Sequence, residues 1–163
     1  MKNYLVTGGA GFIGSYVIQE LLKSEEDIFI YNIDKMGVGS DKDNLVTDDR
    51  VENQILDIAN DEHWRIHMAN PLDWVPVIDY VIHLAAESHV DRSIDNPLSF
   101  VDSNIVGTAK ILELVRKHKA RMVHVSTDEV YGHLAKQDPP FTEDSPLKPR
   151  SPYSASKASS DLL

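Results

Sequence analysis

Apolar residues follow two rhythms along this chain. Short runs dominated by apolar residues, at Lys2–Thr7, Ile28–Ile33, Tyr80–Leu84 and Met122–Ser126, with a shorter one at Val51–Leu56, predict five strands. Nearly continuous apolar runs are those of strands covered on both faces. Between them the spacing changes to that of helices. Ile13, Val17, Ile18, Leu21 and Leu22 predict a helix over Phe12–Ser24. Val101, Ile105, Thr108, Leu112 and Val115 form the stripe of a long helix from about Pro97 to His118. A further helix is expected after Asp61 through Met68, and a last one over Tyr153–Leu163. The stretch Gly37–Asp49 reads as polar loop, and the prolines flanking Trp74 break Pro71–Pro76. Strands alternating with helices imply an α/β fold with a parallel sheet and right-handed crossovers.

In such a sheet ligands sit beyond the carboxyl ends of the strands, where the strand order reverses. Three polar clusters fall there: a glycine turn after the first strand, Ala85-Ala86-Glu87-Ser88-His89 after the fourth, and Thr127-Asp128-Glu129 after the fifth. In the first, Thr7-Gly8-Gly9-Ala10-Gly11-Phe12-Ile13-Gly14, Gly8 suits the tight turn and Gly11 lets the backbone approach phosphates. Gly14 lets helix and strand pack closely. The helix start offers unpaired N–H groups and a partial positive charge to an anion. Asp34, at the end of the second apolar run, can accept both hydroxyls of an adenosine ribose and repels a 2′-phosphate. Together these predict a Rossmann-type doubly wound sheet that binds NAD in preference to NADP. Lys35, beside Asp34, pulls the other way.

Composition narrows the field. With 163 residues, 42% of them hydrophobic, the chain can bury one core, so residues 1–163 are read as a single dinucleotide-binding domain. A net charge of −10 without a basic stretch argues against nucleic acid or an anionic membrane as partner. The absence of cysteine removes disulfides and zinc–thiolate sites, and no metal is expected. No signal-peptide pattern opens the chain, and no apolar stretch approaches the roughly 20 residues that cross a bilayer. A soluble, cytoplasmic protein is expected. The last helical pattern stops on Asp161-Leu162-Leu163 without a glycine cap, so the chain is read as a fragment.

Tyr153 and Lys157 lie four apart, on one face of a helix. An ammonium beside a phenol favours the phenolate, which would make Tyr153 a general base at neutral pH. An accidental pair on a solvated helix is the alternative. Adjacent carboxylates at Asp128 and Glu129 repel, so one can serve as acid and the other as base. Alternatively, Asp128 caps a turn and Glu129 is a surface residue. Asn104 is poorly suited to a helix interior and is expected either to hydrogen-bond near the site or to face water. His83 and His89 are read as structural groups, Asp57-Ile58 as placed at the adenine edge or in a turn, and Asp91-Arg92 as an ion pair or loop anchor.

On these motifs the chain resembles the extended short-chain dehydrogenase/reductase superfamily over its whole length. Thr7–Gly14 is similar to the superfamily's cofactor loop and Tyr153-x-x-x-Lys157 to its catalytic pair, with Ser126 and Thr127 at the place of its third hydroxyl. Within the superfamily, His83–Ile94 and Ser126–Gly132 most resemble the dTDP-glucose 4,6-dehydratases. The Thr-Asp-Glu triplet sets these apart from sugar epimerases and decarboxylases. The resemblance implies NAD contacts from Gly8, Gly11, Phe12, Ile13, Gly14, Asp34, Lys35, Asp57, Ile58, Leu84, Ala85, Ala86, Ser126, Tyr153 and Lys157. It implies contacts to a nucleotide sugar, dTDP-glucose, from Ser88, Thr127, Asp128 and Glu129. In the cycle it implies, Tyr153 takes the proton of the sugar 4-hydroxyl, Thr127 binds that oxygen and Lys157 holds the nicotinamide ribose. Glu129 then removes the C5 proton, and Asp128 protonates the departing 6-hydroxyl. The resemblance further implies a C-terminal substrate domain, absent here, and a homodimer formed through the helices at Pro97–His118 and Pro152 onward. Ile111, Leu114, Leu162 and Leu163 would supply apolar surface for that contact, or alternatively for packing on the missing domain. The segment Lys35-Met36-Gly37-Val38-Gly39-Ser40 departs from the usual Lys-Leu-Thr-Tyr-Ala-Gly. A non-catalytic NAD-binding module, a half-protein needing a partner chain, and an epimerase or decarboxylase remain as competing expectations.

Overall fold

The computed structural model describes residues 1–63 and 77–163. Five strands, β1 (Lys2–Thr7), β2 (Ile28–Asp34), β3 (Val51–Ile55), β4 (Tyr80–His83) and β5 (Arg121–His124), form one parallel sheet in the order β3-β2-β1-β4-β5. The chain builds outward from β1 through β2 to β3, then returns to the other side of β1. The order therefore reverses between β1 and β4, and the open ends of these strands leave a crevice there.

Alternate side chains along each central strand face opposite layers. Leu5, Tyr31, Ile33 and Val81 pack with Leu56, Ile58, Ile78, Ile111 and Leu114 on one face. Tyr4, Val6, Ile28 and Ile30 pack with Ile18 on the other. Helices thus cover both faces: α1 (Phe12–Ser24) through Ile18, and a later helix through Ile111 and Leu114. This is the doubly wound, Rossmann-type arrangement expected. Each fully buried aliphatic side chain contributes about 1.5–3 kcal/mol relative to exposure. The outer strands depart from the expectation: Ile55 on β3 and Val123 on β5 are exposed, because each strand has a neighbour on one side only among the described residues.

The long helix differs more. It comprises α2 (Val90–Asp95), which the apolar spacing did not predict, then α3 (Pro97–Phe100), a π-helical turn (Val101–Val106) and α4 (Gly107–His118). Its buried face holds Phe100, Ser103, Asn104, Gly107, Thr108, Ile111 and Leu114, while Val101 is exposed. The wider π turn shifts the phase of the faces. The buried positions near it carry small or polar residues because α5 (Pro152–Asp161) packs closely there. A β-carbon on Gly107 would come within 2.7 Å of Ile58. Ile111 and Leu114 are core residues, which removes them from the expected dimer surface; Leu162 and Leu163 are exposed.

Helix α5 begins on Pro152 after Ser151, whose hydroxyl accepts the Ser154 amide while the Ser154 hydroxyl accepts the Ser151 amide. This capping box fixes where Tyr153 and Lys157 sit. Of the helix expected from Asp61, residues 61–63 are helical; the rest of it and Pro71–Pro76 lie outside the described residues. Among the described residues no helix is long and apolar enough to cross a membrane.

Candidate functional site

A cleft of about 370 Å³ opens at the carboxyl ends of the strands. Its wall brings together Gly8, Gly11, Phe12, Ile13, Gly14, Asp34, Lys35, Ile58, Leu84, Ala85, Ala86, Ser88, Ser126, Tyr153 and Lys157. Asp57, Thr127, Asp128 and Glu129 are not in that wall. Asp57 is a turn residue rather than an adenine contact: its Oδ1 accepts the Ala59 amide at 2.9 Å. Leu56 and Ile58, on either side of it, do line the cleft. The cleft wall also holds Glu87, from the polar cluster after the fourth strand, and Val38, Gly39, Ser40 and Ser103, for which no contact was expected. Loop 37–44 carries no apolar rhythm to announce itself. It is stapled to the glycine turn by bonds from the Asp41 amide and the Asn44 side chain to the Ala10 carbonyl, at 3.0 and 3.1 Å.

The glycines have different jobs. Gly8 adopts a left-handed φ of 79°. A β-carbon on Gly14 would stand 2.2 Å from the Gly8 carbonyl oxygen, so helix and turn interlock there. Gly11 is different: a β-carbon would meet only the Gly8 oxygen at 3.2 Å and the Gly39 oxygen at 4.0 Å, since that side faces the cleft. Gly11 is also the residue that starts α1, and no side chain caps that helix. An uncapped helix start over an open approach fits the pyrophosphate of a dinucleotide.

Asp34 is buried at the floor of the cleft. Its Oδ2 accepts the Ala10 amide at 3.0 Å, and its Oδ1 accepts the Met36 amide at 2.8 Å and the Ser40 hydroxyl at 2.7 Å. An ionised carboxylate has about four lone-pair positions. A ribose hydroxyl can take the remaining one, and the Ser40 hydroxyl can rotate away to free a second. Lys35 turns aside and pairs with Glu87 at 2.7 Å.

At the other end of the cleft the Lys157 side chain is buried, and its ammonium donates to the Val125 carbonyl at 2.8 Å. Burial lowers its pKa, and the nearby Asp161 charge partly restores it. The expectation that Lys157 depresses the Tyr153 pKa is not met. Burial pushes the Tyr153 phenol up, a hydrogen bond with Thr127 works the other way, and the charges of Glu129 and Asp128 add to the rise. Being four apart on a helix aligns the two side chains, but the ammonium is engaged by Val125. Thr127, Asp128 and Glu129 enter a short 3-10 helix, Asp128–Tyr131, which Thr127, not Asp128, caps by accepting the Glu129 amide at 3.3 Å. Both carboxylates are exposed, as is Ser88. The Ser126 hydroxyl donates to Asp161 at 2.6 Å, and Asp161 also meets His124 at 3.2 Å.

Beneath the crevice His83 is buried between the hydroxyls of Thr7, at 2.6 Å, and Thr108, at 3.0 Å. Its pKa falls to about 3, chiefly through burial, with His124 and Lys157 adding repulsion. It is the structural group expected. Asn104 accepts the Glu87 amide at 2.8 Å and donates to the Glu87 carbonyl at 3.0 Å and to Ser156 at 2.9 Å. It locks the loop after β4 to helix α5. Arg92 pairs with Glu87 at 3.4 Å and so anchors the loop after β4, rather than pairing with Asp91. His89 precedes α2 without a side-chain cap.

Residues 5–163 match the family described as GDP-mannose 4,6 dehydratase. The dTDP-glucose 4,6-dehydratase of Escherichia coli is 41% identical over 98% of this chain and 48% of its own length. Among solved structures, dTDP-glucose 4,6-dehydratase from Streptomyces venezuelae with NAD bound aligns at a TM-score of 0.85 and 39% identity, covering 98% of this chain and 49% of that one. A UDP-glucose 4-epimerase complex with NAD from Thermus thermophilus aligns at 0.81 and 29% identity, with 98% and 49% covered. The chain spans about half the length of the curated relatives it matches.

Proposed function

This chain belongs to the GDP-mannose 4,6-dehydratase family, and from that premise we propose that it carries the NAD-binding and proton-transfer residues of a nucleotide-sugar 4,6-dehydratase acting on dTDP-glucose. One observation carries the reading: Tyr153 and Lys157 line the same cleft as the glycine turn, and Tyr153 is close enough to Thr127, Asp128 and Glu129 to feel a hydrogen bond from the first and the charges of the other two. The curated relatives of similar sequence bear the same activity in their names.

Bound NAD would supply the acceptor for the C4 hydrogen and its donor to C6, so the cycle is redox-neutral. The protein's residues handle the protons. Tyr153 takes the proton of the 4-hydroxyl while Thr127 holds that oxygen, and Lys157 would hold the nicotinamide ribose. The 4-keto group acidifies C5. Glu129 removes the C5 proton, Asp128 protonates the 6-hydroxyl, the C6–O bond breaks, and water leaves. Glu129 returns a proton to C5, which leaves a 4-keto-6-deoxy sugar. Because burial and the charges of Glu129 and Asp128 raise the Tyr153 pKa in the free chain, its activation would need the positive nicotinamide ring of bound NAD, or release of the Lys157 ammonium from the Val125 carbonyl.

The test is mass analysis of the sugar nucleotide after incubation of this protein with NAD and dTDP-glucose. Loss of one water is expected, slowed about a hundred- to ten-thousandfold in Asp128→Asn. A C4 epimer of unchanged mass would favour the epimerase reading, for which the Thermus structure is the specific likeness. A cytoplasmic homodimer belongs to the same proposal. Its contact face is now Ile94, Leu98 and Val101, all exposed, in place of Ile111 and Leu114. A monomer in light scattering would remove it.

A further inference from the structure

We propose that Glu87 sets the cofactor preference by holding the Lys35 ammonium away from the position of a 2′-phosphate. This rests on the dinucleotide-binding reading above. Lys35 directly follows the ribose carboxylate Asp34, where a free ammonium would attract the extra phosphate of NADP and offset the repulsion from Asp34. It is not free. Its Nζ lies 2.7 Å from Glu87 Oε1 and donates to the Ser103 hydroxyl at 2.8 Å. The tether joins the end of β2 to the loop after β4, and Lys35, Glu87 and Ser103 all line the cleft.

The partner is fixed from outside β2. Asn104 grips both the amide and the carbonyl of Glu87, at 2.8 and 3.0 Å, so the carboxylate cannot follow the lysine toward a ligand. Its side chain is only 9% exposed, against 33% for Lys35. Its other cation, Arg92, stands at 3.4 Å. If Lys35 left for a phosphate, a nearly buried carboxylate would keep one long contact, and an underpaired buried charge is strongly disfavoured. Two residues therefore select NAD: Asp34 by repulsion, and Glu87 by withholding the counter-charge. Only the first was legible from the glycine–aspartate spacing.

NADH and NADPH are titrated by fluorescence against the purified chain, Glu87→Gln, Lys35→Met and the double variant. The original chain should prefer NADH. Glu87→Gln should gain about tenfold in NADPH affinity relative to NADH, the scale of one released charge-assisted hydrogen bond. The double variant should lose that gain. Lys35→Met alone should leave the NADH-to-NADPH ratio unchanged, whatever it does to both affinities. An equal change for both cofactors in Glu87→Gln overturns the proposal. So does a selective loss of NADPH binding in Lys35→Met, a result that can be read even if Glu87→Gln does not fold. Binding of neither cofactor by the original chain, folded by circular dichroism, overturns the dinucleotide reading and this inference with it.

Discussion

Asp34 is buried and receives the Ala10 and Met36 amides and the Ser40 hydroxyl, whereas Asp128 and Glu129, outside the cleft wall at its far end, stand in solvent on a single capped 3-10 turn. The nucleotide end is preorganised by this chain's own packing, with the glycine turn, β2 and loop 37–44 tied together. The carboxylate end has its direction set by Thr127 but nothing within the described residues to exclude water. The nucleotide end is thus ready for its ligand in the free chain, while the acid–base groups gain strength only as a bound sugar displaces water.

The largest effect expected is at Gly14. Gly14→Ala drives a β-carbon into the Gly8 backbone and should cost about 3 kcal/mol, read as a lower urea midpoint. Gly11→Ala should cost only about 1 kcal/mol of stability, the usual change at a helix start. Its NADH affinity should fall roughly a hundredfold, the loss of about two charge-assisted hydrogen bonds. If both variants lose stability equally, the open side of Gly11 is not ligand space.

A smaller effect separates the floor of the cleft from its rim. His83 has a folded-state pKa of about 3 against 6.5 when unfolded. The unfolded chain therefore binds a proton that the folded chain does not, and stability falls as pH drops from about 6.5 toward 3. The cost approaches about 1.4 kcal/mol per pH unit within that window. His83→Gln should flatten this slope in thermal melts. A residual slope should remain from His124, which burial and Lys157 also push down while Asp161 opposes. An unchanged slope would mean that His83 is protonated in place. The smallest effect is at Asp34: Asp34→Ala should weaken NADH by about tenfold and NADPH less, through loss of both the ribose acceptor and the repulsion. Equal losses would remove Asp34 from the preference.

The central strands, α1 and the turn between them were legible because burial on both faces demands apolar runs and a tight turn demands glycine. The face of the helix from Pro97 was not. Its buried positions, Ser103, Asn104 and Gly107, look like surface residues until α5 is placed against them, and a π turn shifts the phase. The site followed the same divide. Asp34 announces itself by its distance from the glycines, whereas the Lys35–Glu87 pair joins segments remote in sequence and leaves no local pattern. Tyr153 and Lys157, four apart on one helix face, both line the cleft, but spacing carries no information about the Val125 carbonyl that engages the ammonium.

The central claim, that this chain alone completes the dinucleotide site, is tested most directly by calorimetric titration of NADH into the 163-residue protein and into its Gly11→Ala variant. Saturable one-to-one binding by the first, lost in a variant that keeps its circular dichroism spectrum, is the predicted result. No binding by the folded original chain, or undiminished binding by Gly11→Ala, would contradict it.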